Sequence, residues 1–237
     1  MVTADAVPFA EHLPGSAPVR GYLHRAARPT DRGLVLTHGA GSDCRTPLLV
    51  AMASAFAAAG FHALRCDLPF RQARRSGPPS PGGSARDREG LEAAVAAVGR
   101  VGARQVILGG VSYGGRQASM LAAERPALAT ALVLLSYPLH APGRADQPRT
   151  AHLPGLTAPA VFVHGDRDPF GSPDELRQAL ALIPAPTRLV VIPGAGHDLS
   201  RTRARAAETH AEVAAAALNA LCDLAPHLGP ASAAKVG

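Results

Sequence analysis

Gly110-Val111-Ser112-Tyr113-Gly114 combines a hydroxyl nucleophile with a glycine two places to either side. An apolar run, Val106-Ile107-Leu108, precedes it, and a helical pattern from Arg116 to Glu124 follows. Strand, Gly-x-Ser-x-Gly turn and helix together describe a nucleophile elbow. The turn is so tight that the serine is held in strained backbone geometry, and side chains two residues away would collide with the neighbouring strand or helix. A serine that merely caps a helix start is the alternative, and the flanking strand and helix favour the nucleophile.

A serine hydroxyl attacks poorly until a base takes its proton. The natural base is a histidine oriented by a carboxylate. Two downstream segments supply these groups. Val163-His164-Gly165-Asp166-Arg167-Asp168-Pro169 puts two carboxylates just past an apolar run. Pro193-Gly194-Ala195-Gly196-His197-Asp198 puts a histidine just past another. His197 is the expected base. Asp198, adjacent to it in sequence, is badly placed to reach its ring nitrogen.

These groups need a frame. Apolar runs at Leu34–His38, Phe61–Cys66, Gln105–Gly109, Thr130–Ser136, Ala160–His164 and Arg188–Ile192 read as buried strands, and Val19–His24 as an early antiparallel one. Helical patterns cover Leu48–Ala59, Asp87–Val101, Asp174–Leu182 and Arg201–Leu224. Pro69–Ser84 and Tyr137–Ala158 read as irregular connections. Alternating strands and helices predict an α/β fold with a mostly parallel sheet covered by helices on both faces. Functional loops then lie at the carboxyl ends of the strands, where the serine, carboxylates and histidine all fall. One domain is expected over 1–237, with its core at about 19–224 and a flexible tail over 225–237.

Composition narrows the function classes. Of 237 residues, 47% are hydrophobic and only 4% aromatic, so the core must be mostly Ala, Val and Leu. No apolar run reaches transmembrane length, and the first residues lack a signal-peptide pattern. Three widely spaced cysteines argue against a disulfide framework. A cytoplasmic protein is expected. The net charge of +6 comes from dispersed residues, all arginine except Lys235. No aromatic-interleaved basic patch appears, so neither nucleic acid nor membrane is an expected partner. No Cys/His spacing suggests a metal. Oligomeric state is not readable from the sequence.

From about Gly33 to Leu221 the chain resembles an alpha/beta-hydrolase. Within that superfamily it is similar to small, nearly lidless proteins of the dienelactone hydrolase-like kind. The segments that carry the likeness are Thr37-His38-Gly39-Ala40-Gly41, Gly109 to Arg116, Leu135-Ser136-Tyr137-Pro138-Leu139-His140, His164 to Gly171, and Gly194-Ala195-Gly196-His197. The Ser-Tyr-Pro-Leu-His stretch is similar to the hydrolase-like family of testis-expressed protein 30 and subunit 3 of the non-specific-lethal complex. The resemblance implies the order nucleophile, acid, histidine. Its Gly-x-x-Asp pattern, matched from Gly165, points to Asp168 as the acid and leaves Asp166 as a turn former.

The implied chemistry is that of a carboxylesterase-like serine hydrolase. Ser112, His197 and Asp168 would cleave a small ester or thioester through an acyl-enzyme, without cofactor or metal. The oxyanion needs preorganised donors: the Tyr113 amide, and the Ala40 amide from the loop after the Leu34–Thr37 strand. Gly39–Gly41 could otherwise be a simple turn. Arg65, Arg71, Arg74 and Arg75 surround the loop after Phe61–Cys66. Arg74 and Arg75 are candidates to attract an anionic substrate, against the plainer reading of a solvated basic loop. His140 either lines the pocket or sits on a surface loop. Two other readings keep the fold: a scaffold without activity, and an acyltransferase using the same triad.

Overall fold

The computed structural model describes residues 6–28, 30–80 and 82–229. Eight strands form one sheet: β1 (Ala6–Glu11), β2 (Val19–His24), β3 (Arg32–Thr37), β4 (His62–Cys66), β5 (Gln105–Val111), β6 (Ala131–Leu135), β7 (Ala160–Gly165) and β8 (Thr187–Ile192). Their spatial order is β1-β2-β4-β3-β5-β6-β7-β8. The β1–β2 and β2–β4 pairs are antiparallel, and every later pair is parallel. Among the described residues, six α-helices complete the frame: α1 (Pro47–Ala58), α2 (Pro69–Ala73), α3 (Ser84–Arg100), α4 (Tyr113–Glu124), α5 (Pro173–Leu180) and α6 (Ala206–Leu224).

The period-2 geometry of a strand divides its residues between two faces, and the parallel strands are apolar on both. Leu34, Leu36, Ile107, Val133, Val161 and Val163 meet α1 and α6 through Met52, Phe56, Val213 and Leu221. Val35, Leu108, Leu132, Leu134 and Phe162 meet α3 and α4 through Leu91, Val98, Ala118 and Leu121. The scarcity of aromatics is met by small residues. Ala53, Ala94, Ala118, Ala214 and Ala217 are at most 1% exposed, so helices approach the sheet closely without large side chains.

The structure departs from the sequence expectations in three places. An additional strand, β1, pairs with β2 at the sheet edge, where Pro8 is tolerated because an edge strand has one side without a ladder. Within the expected Pro69–Ser84 loop, Pro69 starts the short helix α2, as proline at the first helical position permits; Pro81 lies outside the described residues. The expected tail does not begin at Ala225. Ala225 and Leu228 are 2% and 0% exposed, and Pro226–Leu228 forms a 3-10 turn. Residues 230–237 of that stretch lie outside the described residues.

Arg32 pins this C-terminal turn. Its Nη1 donates to Leu228 O (2.9 Å) and Gly229 O (2.7 Å), and its Nη2 to Ala59 O (3.2 Å). The guanidinium also stacks 4.6 Å from the Phe61 ring centroid. Hydrogen bonds from a charged donor contribute more than neutral ones, so Arg32→Ala is expected to lower the unfolding free energy by about 2 kcal/mol. Urea titration checks this. A loss below roughly 0.5 kcal/mol, the range of an ordinary surface substitution, contradicts it.

Candidate active site

Ser112 sits between β5 and α4 at φ 51°, ψ −117°, a conformation rarely adopted outside glycine. Its amide donates to Leu135 O (2.8 Å) on the neighbouring strand, which locks the turn onto the sheet. The glycines are demanded by contact. A Cβ at Gly114 would lie 2.4 Å from His38 O, and one at Gly110 2.7 Å from Thr37 O. The β3 loop and the elbow are therefore pressed backbone to backbone.

His197 joins the serine to a carboxylate. Ser112 Oγ donates to His197 Nε2 at 2.8 Å, and His197 Nδ1 donates to Asp168 Oδ2 at 2.7 Å. The other carboxylate oxygen of Asp168 accepts the Phe170 amide at 2.9 Å. The Asp168 side chain is 0% exposed, whereas that of His197 is 27% exposed, so the acid is enclosed and the base faces the cavity. The Phe170 ring packs over the imidazole, centroids 4.2 Å apart. Asp166 bridges the two loops by accepting the Gly194 amide (2.7 Å). Asp198 turns instead to Ser200, accepting from its amide (3.0 Å) and its hydroxyl (2.6 Å). Gly165 permits the approach of the acid and histidine loops, because a Cβ there would stand 2.2 Å from Ala195 O.

A cavity of about 800 Å³ opens over Ser112 and His197. Gly39, Ala40 and Gly41 form one wall, Pro47, Leu48 and Phe170 form apolar surface, and Arg167, Asp198 and His210 also border it. No residue of Tyr137–Ala158 lines it. That connection, where a lid could insert, is instead tied down. Tyr137 Oη donates to Arg149 O (3.0 Å), and His152 Nε2 pairs with Ser119 Oγ on α4 (2.8 Å).

Of the arginines around the loop after β4, Arg65 and Arg74 are bonded within the fold. Arg65 Nε donates to His24 Nε2 (2.9 Å) and its Nη1 to Cys44 O (2.7 Å). Arg74 Nη2 donates to Pro78 O (2.6 Å). Arg75 borders a separate cavity with Asp43, Arg45, Asp67 and Arg71. Neither Arg74 nor Arg75 lines the Ser112 cavity. His140 lines another cavity, with Glu175 and Gln178, and its Nε2 is 3.5 Å from Glu175 Oε1.

Several supporting residues were not singled out from sequence. His164, fully buried on β7, donates from Nε2 to Gly171 O (2.7 Å), closing the loop that carries Asp168. His38 donates from Nδ1 to Gly39 O (2.8 Å) and accepts the Leu68 amide at Nε2 (3.1 Å). Asp87 accepts the Phe70 amide (3.1 Å) and the Tyr113 hydroxyl (2.7 Å). A histidine closing a strand beside glycine was the available signal for His38. Asp87 and Phe170 carried none, because their partners are distant in sequence or main chain. Among the described residues, no group of His, Cys, Asp or Glu could hold a metal ion, and no helix is long and apolar enough to cross a membrane. Burial pushes the Cys44 thiol up to about 12.

The alpha/beta hydrolase domain family matches residues 30–225, and the chain belongs to that family. Solved structures share its fold. A dienelactone hydrolase from Anabaena variabilis superposes with a TM-score of 0.69 at 22% identity, covering 94% of this chain and 99% of that one. An alpha-beta serine hydrolase homologue from Coxiella burnetii gives 0.69 at 18% identity, covering 89% and 96%. Est1E from Butyrivibrio proteoclasticus gives 0.68 at 16% identity, covering 91% and 99%.

Two outcomes follow from the packing. Gly114→Ala must displace backbone, so it should destabilise the fold by about 2 kcal/mol or more and reduce any reactivity of Ser112. Chemical denaturation within about 0.5 kcal/mol of wild type contradicts the close approach. The second outcome concerns pH. Burial holds His38 below its ordinary value, and pushes His24 and His152 down to about 4. Unfolded histidine takes up a proton near pH 6.5, while the folded protein keeps these rings neutral to lower pH. Their stabilisation is full above about 6.5 and is lost as the pH falls towards 4. Urea unfolding should therefore show lower stability at pH 5 than at pH 7.5; equal or greater stability at pH 5 contradicts this.

Proposed function

We propose that this alpha/beta hydrolase is a serine esterase that cleaves a small carboxylic ester or thioester through an acyl-enzyme. The observation that carries the reading is the continuous relay from Asp168 to His197 to Ser112, with spacings of 2.7 and 2.8 Å. In the reaction, Ser112 Oγ attacks the acyl carbonyl while His197 Nε2 takes its proton. The tetrahedral oxyanion is received by the amides of Tyr113 and Ala40. His197 then gives the proton to the leaving alcohol or thiol, and the acyl group remains on Ser112. Water, deprotonated by His197, attacks that ester and restores the serine. Asp168 holds the imidazole in the tautomer that leaves Nε2 free to accept, and it stabilises the imidazolium formed at each attack.

Ala40 supports the oxyanion assignment because it lines the cavity and a Cβ at the adjacent Gly39 would stand 3.6 Å from Ser112 Cβ. The cavity volume of about 800 Å³, with no residue of Tyr137–Ala158 lining it, suits small soluble acyl groups. The Ser136-Tyr137-Pro138-Leu139-His140 segment favours a place in the hydrolase-like family of testis-expressed protein 30 and subunit 3 of the non-specific-lethal complex.

Turnover of p-nitrophenyl acetate and butyrate tests the proposal. Wild type should hydrolyse both. Ser112→Ala and His197→Ala should each lose on the order of 10³-fold or more in kcat, and Asp168→Asn on the order of 10² to 10⁴-fold. Hydrolysis by Ser112→Ala at the wild-type rate overturns the assignment.

A further inference from the structure

We infer that Arg71 is a positioning residue for the oxyanion-binding loop. The inference rests on the serine esterase reading and adds to it the group that holds the second oxyanion donor in place. Arg71 is 7% exposed, and its four hydrogen bonds among the described residues all end on main-chain carbonyls. Nε donates to Ser42 O (2.9 Å), Nη2 to Ala40 O (3.0 Å) and Gly77 O (3.0 Å), and Nη1 to Arg74 O (3.3 Å). A buried guanidinium loses much of its hydration, and carbonyl dipoles compensate it less fully than a carboxylate does. The arrangement therefore concentrates a strong charge on a few loop carbonyls.

The carbonyls matter because a trans peptide points its N–H opposite to its C=O. Gly39 O accepts from His38 Nδ1 (2.8 Å) and from the Ser42 amide (3.3 Å), which fixes the peptide plane that bears the Ala40 N–H. Ala40 O and Ser42 O, held by Arg71, fix the planes that follow. The glycines on either side of Ala40 give this loop little intrinsic stiffness. Fixing its carbonyls from outside aims its amides without filling the cavity.

The mount for Arg71 also carries the other donor. Arg71 lies on α2 next to Phe70, whose amide is held by Asp87, and the same carboxylate accepts the Tyr113 hydroxyl. The Phe70 ring packs edge-on against both His38 (5.5 Å) and Tyr113 (5.8 Å). One short helix thus braces the loop of Ala40 and the residue of the Tyr113 amide. The forked guanidinium reaches Ala40 and Ser42 together. An ammonium at the same place keeps the charge but loses the fork.

The test uses Arg71→Ala and Arg71→Lys with p-nitrophenyl butyrate. Rates are counted per serine titrated to completion with a fluorophosphonate, so that misfolded protein does not enter. Binding of a trifluoromethyl ketone of matched chain length is measured in parallel. Ser112 adds to that ketone, His197 takes the proton, and the hemiketal oxyanion reports on the donors directly. Arg71→Ala should lower kcat by roughly 10 to 100-fold with KM within about threefold, and weaken the ketone by a similar factor. Arg71→Lys should recover part of both. If kcat per titrated serine and ketone affinity stay within about twofold of wild type in both variants, the inference is overturned while the esterase reading stands. A wild type with no titratable serine and no ester turnover overturns both.

Discussion

The 2.8 Å hydrogen bond between Ser112 Oγ and His197 Nε2 joins residues 85 apart in the chain. A shift of about 1 Å at either end removes the alignment that proton transfer needs. Most of the architecture meets that tolerance. The parallel strands deliver Ser112, Asp168 and His197 to one edge of the sheet, and backbone hydrogen bonds then fix each loop. The Ser112 amide is tied to β6, the Asp168 carboxylate to the Phe170 amide, and the His197 loop to Asp166. The unfavourable φ of Ser112 persists because strands, glycines and the β3 loop leave the turn no alternative.

Arginine is the dominant cation of this chain, and several arginines act as internal ties. Arg32 holds the C-terminal turn, Arg65 bridges β4 to β2 and the Cys44 backbone, and Arg71 gathers the loop of Ala40. Each uses a planar fork to satisfy carbonyls that irregular backbone leaves over. A chain poor in aromatics and rich in glycine and proline loops gains order from such polar cross-links. The positive net charge is thus partly a structural device.

The parallel core was readable because its strands are continuous apolar runs between turn residues, and because Gly-x-Ser-x-Gly is dictated by local geometry. Asp168 and Asp166 could be told apart only through the Gly-x-x-Asp resemblance; the structure adds the reason, since Asp166 reaches Gly194 and Asp168 reaches His197. What escaped depends on distant partners. β1 exists because β2 offers an edge, not because Ala6–Glu11 has a strong pattern. Pro226–Leu228 is ordered by Arg32, nearly 200 residues earlier. Among Arg65, Arg71, Arg74 and Arg75, the sequence offers Arg74 and Arg75 as substrate contacts against the plainer reading of a solvated basic loop. Composition gives charge but not direction, and two of the four point inward to carbonyls or a buried histidine.

If His197 activates Ser112 as proposed, the folded protein must react covalently at that serine. Exposure of the folded protein to a fluorophosphonate, followed by intact-protein and peptide mass spectrometry, tests it most directly. One adduct per chain is expected, located on Ser112 and absent after His197→Ala. Folded wild type that remains unlabelled, or an adduct that lies on another residue, contradicts it.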